Sequence, residues 1–378
     1  MTDTLGLYIH IPFCRSRCRY CGFYSAAALP DDRFICAMLR EMEEKGGKFS
    51  QDVDTVYFGG GTPSVLSEEQ LTALMDGVRR HFHIRGDAEI TMEMNPCDMT
   101  DRYLETARAL GINRLSVGIQ ARQDRLLRYI GRGHTAAEAE SAVRRAYKKG
   151  FHNISADLMY DLPGQRPEDF ERSLLWAMHL PITHLSVYGL ILEEGTLFGQ
   201  MAAQGRLLRP TEAESWRMYQ DMCRIPRHYG FERYEISSFA RNGFRSRHNQ
   251  KYWRLDDYLG LGPAACSRIG AERRQVLPGT RRYVKALLEG HGAPEETERL
   301  TELEEMEEYC FLHLRMKEGI DLADFQARYG EPLEKRYGEK IEILKKEGLL
   351  RERSGHLMMT ARGAALGNLV FEEFLLDQ

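Results

Sequence analysis

Near the start of the chain, residues 8–21 read Tyr8-Ile-His-Ile-Pro-Phe-Cys14-Arg-Ser-Arg-Cys18-Arg-Tyr20-Cys21. The apolar run predicts a β-strand, and three cysteines spaced C-x3-C-x2-C follow at its end. Thiolates are soft ligands that suit iron–sulfur clusters, zinc or copper(I). Structural zinc normally takes four protein ligands, whereas only three cluster here. The spacing therefore favours a [4Fe–4S] cluster on Cys14, Cys18 and Cys21, with one iron left without a protein ligand.

Two other interpretations of the cysteines stay open at this point. A zinc site could be completed by His10 or by a distant cysteine. A disulfide could leave one spare thiol, although no secretory context accompanies it. The other five cysteines are scattered singly and are interpreted as small hydrophobic residues.

The composition is that of a globular protein. The 378 residues predict two or three domains, with 43% hydrophobic and 29% charged residues. A net charge of −4 and a pI near 6.3 argue against general binding of nucleic acid or anionic membranes. No apolar run reaches about 18 residues, and no hydrophobic leader precedes Tyr8, so neither a membrane span nor a signal peptide is predicted. A reducing, cytoplasmic location is expected.

Six short apolar runs alternate with helix-like segments, which predicts βαβ units and a parallel sheet. The predicted strands are 5–11, 55–59, 89–94, 114–119, 153–159 and 184–190. Such a series predicts an α/β fold and could form an incomplete (β/α)6 barrel, although spacing alone does not establish closure.

A second, small domain is predicted from residue 281 to 378, after a first domain of residues 1–280. Residues 295–317 are strongly acidic and read as helix. Two further helices, 320–329 and 332–347, precede two short strands within 349–360 and a final helix. This order resembles a winged-helix α+β domain. Its glutamate-rich surfaces favour a packing role over DNA recognition.

The cysteine spacing, with the aromatic Tyr20 before the last cysteine, resembles the radical S-adenosylmethionine (SAM) superfamily. The fuller string from Tyr8 to Cys21 is similar to the branch that contains oxygen-independent coproporphyrinogen III oxidases and the HemW heme chaperones. The resemblance covers nearly the whole chain. It implies a partial barrel, a [4Fe–4S] cluster that binds SAM at its open iron, and an electron donor such as flavodoxin or ferredoxin.

In barrels of this type, functional residues gather at the C-terminal ends of the strands. By resemblance, the SAM-contacting positions are Tyr8, Tyr20, Gly60, Gly61, Thr62, Glu93, Gln120, Arg132, Asp157 and Gly189. Plainer interpretations exist for some of them. The glycines could simply form a tight loop. Glu93, a carboxylate in an apolar strand, could be the partner of Arg114 in a core ion pair.

A second motif, His248-Asn249-Gln250-Lys251-Tyr252-Trp253, matches the H-N-x2-Y-W pattern of the heme chaperones. Imidazole is a common iron ligand, and the aromatic rings could stack on a macrocycle. The resemblance implies a heme site at His248, Asn249, Tyr252 and Trp253, with nearby arginines for the propionates. The alternative is a hydrogen-bonded structural histidine with core aromatics.

Three features separate the two functions of this branch. The oxidases carry a further cysteine where this chain has Phe23, and they have a longer N-terminal extension. The H-N-x2-Y-W motif is intact, although Gly22 replaces an aspartate common in HemW relatives. The favoured function is a chaperone that carries heme as cargo to apo-hemoproteins. The alternative is radical decarboxylation of coproporphyrinogen III. A weaker third hypothesis is a radical methyltransferase or heme-ring-opening enzyme.

Overall fold

The structure is a computed structural model that describes residues 4–375. The first three residues of the predicted first domain, 1–3, and the last three of the predicted second domain, 376–378, lie outside the described residues. The first elements are β1 (Thr4–Ile11), β2 (Phe13–Cys14), β3 (Ala26–Ala27), α1 (Asp32–Gly46), β4 (Asp52–Gly60), α2 (Glu68–His81), β5 (Ile84–Met94), α3 (Asp101–Ala109), β6 (Arg114–Gln120), α4 (Asp124–Ile130), α5 (Ala136–Lys148), β7 (Asn153–Tyr160), α6 (Pro167–Met178), β8 (His184–Gly189) and α7 (Leu197–Ala203).

The remaining elements are α8 (Glu212–His228), β9 (Glu232–Arg233), β10 (Ser238–Ala240), α9 (Arg247–Arg254), β11 (Tyr258–Leu261), β12 (Cys266–Ile269), β13 (Glu272–Val276), α10 (Thr280–Leu288), β14 (Glu295–Arg299), α11 (Glu302–Arg315), β15 (Ile320–Asp321), α12 (Leu322–Tyr329), α13 (Glu334–Lys346), β16 (Leu350–Arg353), β17 (His356–Met359), α14 (Ala361–Ala365) and α15 (Gly367–Glu372).

The central sheet confirms the predicted α/β fold. Strands β1, β4, β5, β6, β7 and β8 are neighbours in that order, and every pair is parallel. Strand β11 adds to β1 in parallel, and antiparallel strands extend both edges. Over residues 4–375 the order runs from β14 to β9 without a pairing between these two ends, so the barrel is incomplete.

The two faces of the barrel strands differ in polarity. On β6, Leu115, Val117 and Ile119 are fully buried in the large hydrophobic core, whereas Ser116 is polar and its hydroxyl donates to Asp157 on β7 at 3.1 Å. Because side chains alternate along a strand, the polar set shares the opposite face. The barrel therefore encloses a polar lumen beneath an apolar outer layer.

Helix α9 closes the barrel at the N-terminal end of its strands. The Glu89 carboxylate accepts from the backbone N–H groups of Arg247 and His248, both at 3.1 Å, and a negative charge is favourable at a helix N-terminus. Lys251 is buried and contacts Asp54 at 2.9 Å and Thr4 at 3.0 Å. These contacts attach α9 to the end of the barrel opposite the cysteine loop.

The C-terminal part has its own core and mixes helices with a three-stranded sheet, ordered β15-β17-β16 over the described residues. The predicted helix at 295–299 is wrong: these residues form β14, which pairs antiparallel with β13 and places Glu298 opposite Arg273. The predicted boundary at 280 stays a prediction. Since β14 joins the barrel sheet and Tyr283 packs in the barrel core, we propose a boundary near residue 300.

A buried ion pair joins the two cores, which generates a stability prediction. Arg268 on β12 and Glu308 on α11 are 6% and 9% exposed and lie 2.6 Å apart. The change Glu308→Ala removes this partner and leaves Glu305, at 3.5 Å, as the remaining carboxylate beside the guanidinium, so we expect the free energy of unfolding to fall by about 1–3 kcal/mol. Chemical denaturation measures it. Glu302→Ala, an exposed change on the same helix, is the control, and equal losses in both variants would contradict the role of the pair.

Candidate functional site

The cysteine loop is fixed above the C-terminal end of the barrel strands. Cys14 ends β2, and Cys18 and Cys21 follow in a loop that β3 closes. The backbone of Arg19 donates to the Ile130 carbonyl at 3.1 Å and accepts from Phe198 at 3.0 Å. All three cysteines are free thiols, so the disulfide alternative is not formed. The loop thus presents three sulfurs at the same end as the strand-end motifs.

The surroundings of the sulfurs fit a cluster better than a zinc ion. The pKa of Cys21 is raised by burial and, further, by the neighbouring thiols Cys18 and Cys14. A cationic cluster would offset that repulsion. Among residues 4–375, no three His, Cys, Asp or Glu side chains converge on one metal-ion position. A [4Fe–4S] cluster does not need that convergence, because each thiolate binds a different iron.

One of the two ligands considered for a zinc site, His10, makes hydrogen bonds elsewhere. Its Nε2 lies 3.1 Å from the Tyr24 carbonyl and its Nδ1 lies 3.2 Å from the Tyr8 hydroxyl. The ring is buried, and burial lowers the pKa of His10. Its nitrogens therefore position Tyr8 and the end of the cysteine loop.

The glycine run packs directly on the strand that leads to Cys14. A Cβ at Gly61 would lie 2.7 Å from the Phe13 carbonyl oxygen, and Gly60 has a φ of +113°. The Thr62 hydroxyl donates to Cys14 Sγ at 3.2 Å. Both glycines therefore lie in a tight loop that other residues would not fit. The same packing places their backbone beside the cluster loop.

Glu93 lies at the upper end of β5 and faces the lumen. It accepts from the Tyr57 hydroxyl at 2.9 Å and from the Gly60 backbone N–H. Burial raises the pKa of Glu93 to about 7, and the charge of Asp157 adds to this rise. The ion pair with Arg114 considered from sequence is absent among the described contacts. Arg114 is almost fully buried, and its Nε has no hydrogen-bond partner.

Asp157 on β7 is the second carboxylate of the lumen. It accepts from Ser116 at 3.1 Å and from Ser155 at 3.3 Å, and burial raises its pKa. We call Glu93 and Asp157 the lumen carboxylates. Neither makes a salt bridge within the described part of the chain, so hydroxyl groups and backbone are their contacts. The buried charge of Arg114 lowers both pKa values without making a salt bridge, so two buried acids without a direct cationic partner match a ligand that carries positive charge and hydroxyl groups.

Gln120, Arg132 and Tyr20 gather on the flank of the cysteine loop. Arg132 donates to the Gly118 carbonyl at 2.7 Å, and its Nη1 lies 3.8 Å from Cys18 Sγ. Its Nε is buried without a partner. Gln120 ends β6 with a φ of +61°, and Tyr20 hydrogen-bonds with Cys18. A guanidinium with an unused donor could take a carboxylate.

Tyr8 and Gly189 line the lumen at its sides. The Tyr8 ring lies at 6.1 Å from that of Tyr57, and burial raises the pKa of Tyr8. Gly189 ends β8 so close to Tyr160 that a Cβ would lie 3.0 Å from its ring. Sequence reasoning missed Tyr57. A hydroxyl between the apolar Val56 and Phe58 was the signal for an inward-facing side chain.

The H-N-x2-Y-W motif forms most of α9, and His248 is fully buried in the barrel floor. Its Nδ1 lies 2.8 Å from the Thr55 hydroxyl and its Nε2 lies 2.8 Å from the Tyr252 hydroxyl. Burial lowers the pKa of His248 to about 3. Arg315 lies over the Trp253 ring at 4.3 Å. Iron ligation by His248 stays a prediction, and it requires one of the two ring nitrogens to exchange its hydrogen bond for the iron.

The other expected heme contacts are also engaged. The backbone N–H of Asn249 donates to Ser246 within the helix cap at 3.3 Å. Arg247 and Lys251 both face Asp54, and Arg245 pairs with Glu318 at 2.7 Å. These three basic side chains therefore contact carboxylates of the protein itself, whereas Arg254 donates to the Gln250 side chain at 3.0 Å.

Comparison with known proteins defines the class. Residues 8–177 match the Radical SAM superfamily and residues 300–366 match the HemN C-terminal domain. The solved coproporphyrinogen III oxidase HemN of Escherichia coli superposes with a TM-score of 0.86, at 25% identity, over 98% of this chain and 89% of that one. Fold, cysteine loop and match together make this a radical SAM protein, which confirms the predicted superfamily.

The relatives narrow the assignment further. "Heme chaperone HemW" of Bacillus subtilis (strain 168) is 37% identical over 97% of this chain and 98% of its own length. The protein of that name from Escherichia coli (strain K12) is 32% identical over 99% and 98%. The chain belongs to the HemW family. Between residues 4 and 375, no helix combines the length and apolarity that crossing a membrane requires.

The raised pKa of Glu93 predicts how stability depends on pH. A carboxyl whose pKa rises from 4.5 to about 7 on folding keeps its proton in the folded state, so folding stability falls as pH rises through that interval. In SAM-free protein, the free energy of unfolding of Glu93→Gln relative to that of the wild type should rise by up to roughly 3 kcal/mol between pH 4.5 and 8. Urea denaturation at several pH values measures this gain. With Glu302→Gln as control, a pH-independent difference for Glu93→Gln would contradict the assignment.

Proposed function

We propose that this protein is a heme chaperone of the radical SAM type, which binds heme and delivers it to apo-hemoproteins. The observation that carries this proposal is the similarity to HemW heme chaperones along nearly the entire chain. Fold alone does not separate the two functions, because the HemN oxidase shares the architecture. The intact H-N-x2-Y-W motif and Phe23, whose ring is 70% exposed in the cysteine loop, favour the chaperone.

For the cluster, we propose Cys14, Cys18 and Cys21 as the ligands. Three observations support this proposal: all three cysteines are free thiols, Cys14 and Cys18 are close enough to Cys21 to raise its pKa, and hydrogen-bond donors lie beside the sulfurs. Thr62 donates to Cys14 and Arg132 approaches Cys18, so both thiolates gain a polar neighbour. Hydrogen bonds to ligand sulfurs tune the reduction potential of such clusters.

For SAM, we propose that the lumen carboxylates hold its cationic and hydroxyl groups and that Arg132 takes its carboxylate. Gly60 and Gly61 provide backbone at the cluster loop, and Thr62 borders it. Tyr8, Tyr20, Gln120 and Gly189 complete the proposed contacts. When bound, the cluster and SAM supply one-electron cleavage chemistry. The protein's part is to orient the ligand and exclude water from the lumen.

The cluster proposal predicts the result of single cysteine changes. Cys18→Ala should remove most iron and sulfide after anaerobic reconstitution, because the cluster then has only two thiolate ligands. Cys36→Ala, an exposed cysteine on α1, should leave both contents at the wild-type level. Iron and acid-labile sulfide assays give the answer. A full cluster in Cys18→Ala would refute the assignment.

The function itself is tested by offering the two substrates separately to the reconstituted protein. Heme should bind with a Soret band and pass to an apo-hemoprotein. With reductant, SAM and coproporphyrinogen III, no vinyl-bearing product should accumulate over repeated turnovers. Product formation would favour the oxidase, and an electron donor such as flavodoxin would then serve that reaction. The motif prediction is tested alongside, since ligation by His248 requires the Soret band to change in His248→Ala.

A further inference from the structure

A chain of hydrogen bonds leads from the N-terminus of α9 to the lumen carboxylate Asp157. The backbone N–H of Ser246 donates to the Tyr234 hydroxyl oxygen at 3.3 Å, and that hydroxyl lies 2.8 Å from His184 Nε2. On the other side of the ring, His184 Nδ1 lies 2.8 Å from Ser155 Oγ, which lies 3.3 Å from Asp157 Oδ1. The four residues that lead to Asp157 are at most 1% exposed, so the chain runs through the protein interior.

The direction of this chain is decided at the Tyr234 hydroxyl. A backbone N–H can only donate, so the phenol oxygen accepts from Ser246. Burial raises the pKa of Tyr234 to about 12, while its hydrogen bond with Ser238 acts in the opposite direction, as that of a donor to the phenol oxygen does. The phenol proton is then left for the ring nitrogen beside it, Nε2 of His184. Tyr234 therefore donates to His184.

His184 is fully buried and neutral. Burial lowers its pKa well below the usual value, and the positive charge of Arg114 on β6 lowers it further. A neutral imidazole has one N–H and one acceptor nitrogen. Because Nε2 accepts from Tyr234, the proton lies on Nδ1 and is donated to Ser155 Oγ. The Ser155 hydroxyl can then direct its own proton to Asp157.

This orientation matters for Asp157, which receives hydroxyl groups from three neighbouring strands. Ser116 on β6 donates at 3.1 Å, Ser186 on β8 also hydrogen-bonds with the carboxylate, and Ser155 lies on β7 itself. Such donors favour the ionised form of a buried carboxyl. The Ser186 hydroxyl is a more distant contact of Ser155 at 3.4 Å. If the imidazole proton were on Nε2, the nearest acceptor for the Ser155 proton would be Nδ1 of His184, and Asp157 would lose this donor.

We propose that Tyr234 and His184 are positioning residues of the proposed SAM site, which fix the Ser155 hydroxyl as a donor to Asp157. This inference rests on the proposed function, in which the lumen carboxylates hold the cationic and hydroxyl groups of SAM. Both positioning residues are at most 1% exposed, so they act through Ser155 and not by contact with the ligand. The chain begins at Ser246, the N-cap of α9, so the helix that carries the H-N-x2-Y-W motif also supports the SAM site.

The first test reads the protonated nitrogen of His184 directly. In full-length, cluster-reconstituted protein with ¹⁵N-labelled histidine, long-range proton–nitrogen correlation spectra distinguish a protonated ring nitrogen from an unprotonated one. The signal that is absent in His184→Gln belongs to His184. The proton is expected on Nδ1 near neutral pH, and this exclusive form should be lost in Tyr234→Phe, in which Nε2 has no donor. A wild-type proton on Nε2 would overturn the proposal.

The second test measures SAM affinity by calorimetry. Ser155→Ala should weaken binding about tenfold, because a hydrogen bond to a charged group is lost. Tyr234→Phe should weaken it about threefold, because the His184 proton is no longer confined to Nδ1. Tyr283→Phe removes another buried hydroxyl, which contacts Glu41 on α1. It is the matched control and should bind SAM as the wild type does.

A double-mutant cycle with Asp157→Asn separates positioning from a general loss of stability. In that background, Ser155→Ala and Tyr234→Phe should each change SAM affinity by less than about twofold, because no charged carboxylate is left for the donor to stabilise. His184→Asn, whose amide N–H replaces the Nδ1 donor, should bind SAM more tightly than His184→Leu. Circular dichroism of each variant checks that it is folded.

The outcomes distinguish the chain from the SAM site. Wild-type protein that binds no SAM, or Asp157→Asn that binds it as tightly as the wild type, would overturn the SAM site and this inference with it. Affinity that falls in Asp157→Asn but not in Ser155→Ala would overturn the chain alone. Equal losses from Tyr234→Phe with and without the Asp157 carboxylate would also overturn the chain, since the hydroxyl would then act only on the fold. Equal affinities of His184→Asn and His184→Leu would overturn the role of His184.

Discussion

Two carboxylates buried in the barrel without a salt bridge are the constraint on which the rest of the site depends. Burying an ionised carboxylate is costly unless it is paired. Glu93 accepts from Tyr57 and a backbone N–H, and Asp157 accepts from serine hydroxyls; the buried charge of Arg114 lowers both pKa values, but burial outweighs it. Burial raises the pKa values of both carboxyl groups, which favours their protonated, uncharged forms. A cationic ligand would instead stabilise the ionised carboxylates. The polar lumen is therefore built to receive a charged molecule.

The ends of this lumen are closed by different means. At the top, the glycine run packs so tightly on the strand before Cys14 that side chains are excluded there. At the bottom, α9 is attached by Glu89 and inserts His248 and Tyr252 below Tyr57. Both ring nitrogens of His248 are hydrogen-bonded, which fixes its side chain at this end of the barrel.

Much of the architecture was predictable from local sequence. Apolar runs that alternate with helices predicted the six parallel strands, and the cysteine spacing predicted the loop at their carboxyl ends. Strand β14 was missed because its glutamates read as helix, whereas its backbone pairs antiparallel with β13, a contact that local sequence does not show. The setting of His248 was equally hidden, since its partner Thr55 lies 193 residues away in sequence. The alternative of a Glu93–Arg114 ion pair could not be decided for the same reason: charge signs in a sequence carry no distances, and Arg114 acts on Glu93 without forming a salt bridge.

The account claims that Glu93 is protonated in the free lumen and ionises when a cationic ligand arrives. Calorimetric titration of SAM into the reconstituted protein near pH 6.5, in two buffers of different ionisation enthalpy, measures the protons exchanged on binding. The account predicts that the wild type releases more protons than Glu93→Gln, which should also bind SAM more weakly. Equal proton exchange and equal affinity in the two proteins would contradict it.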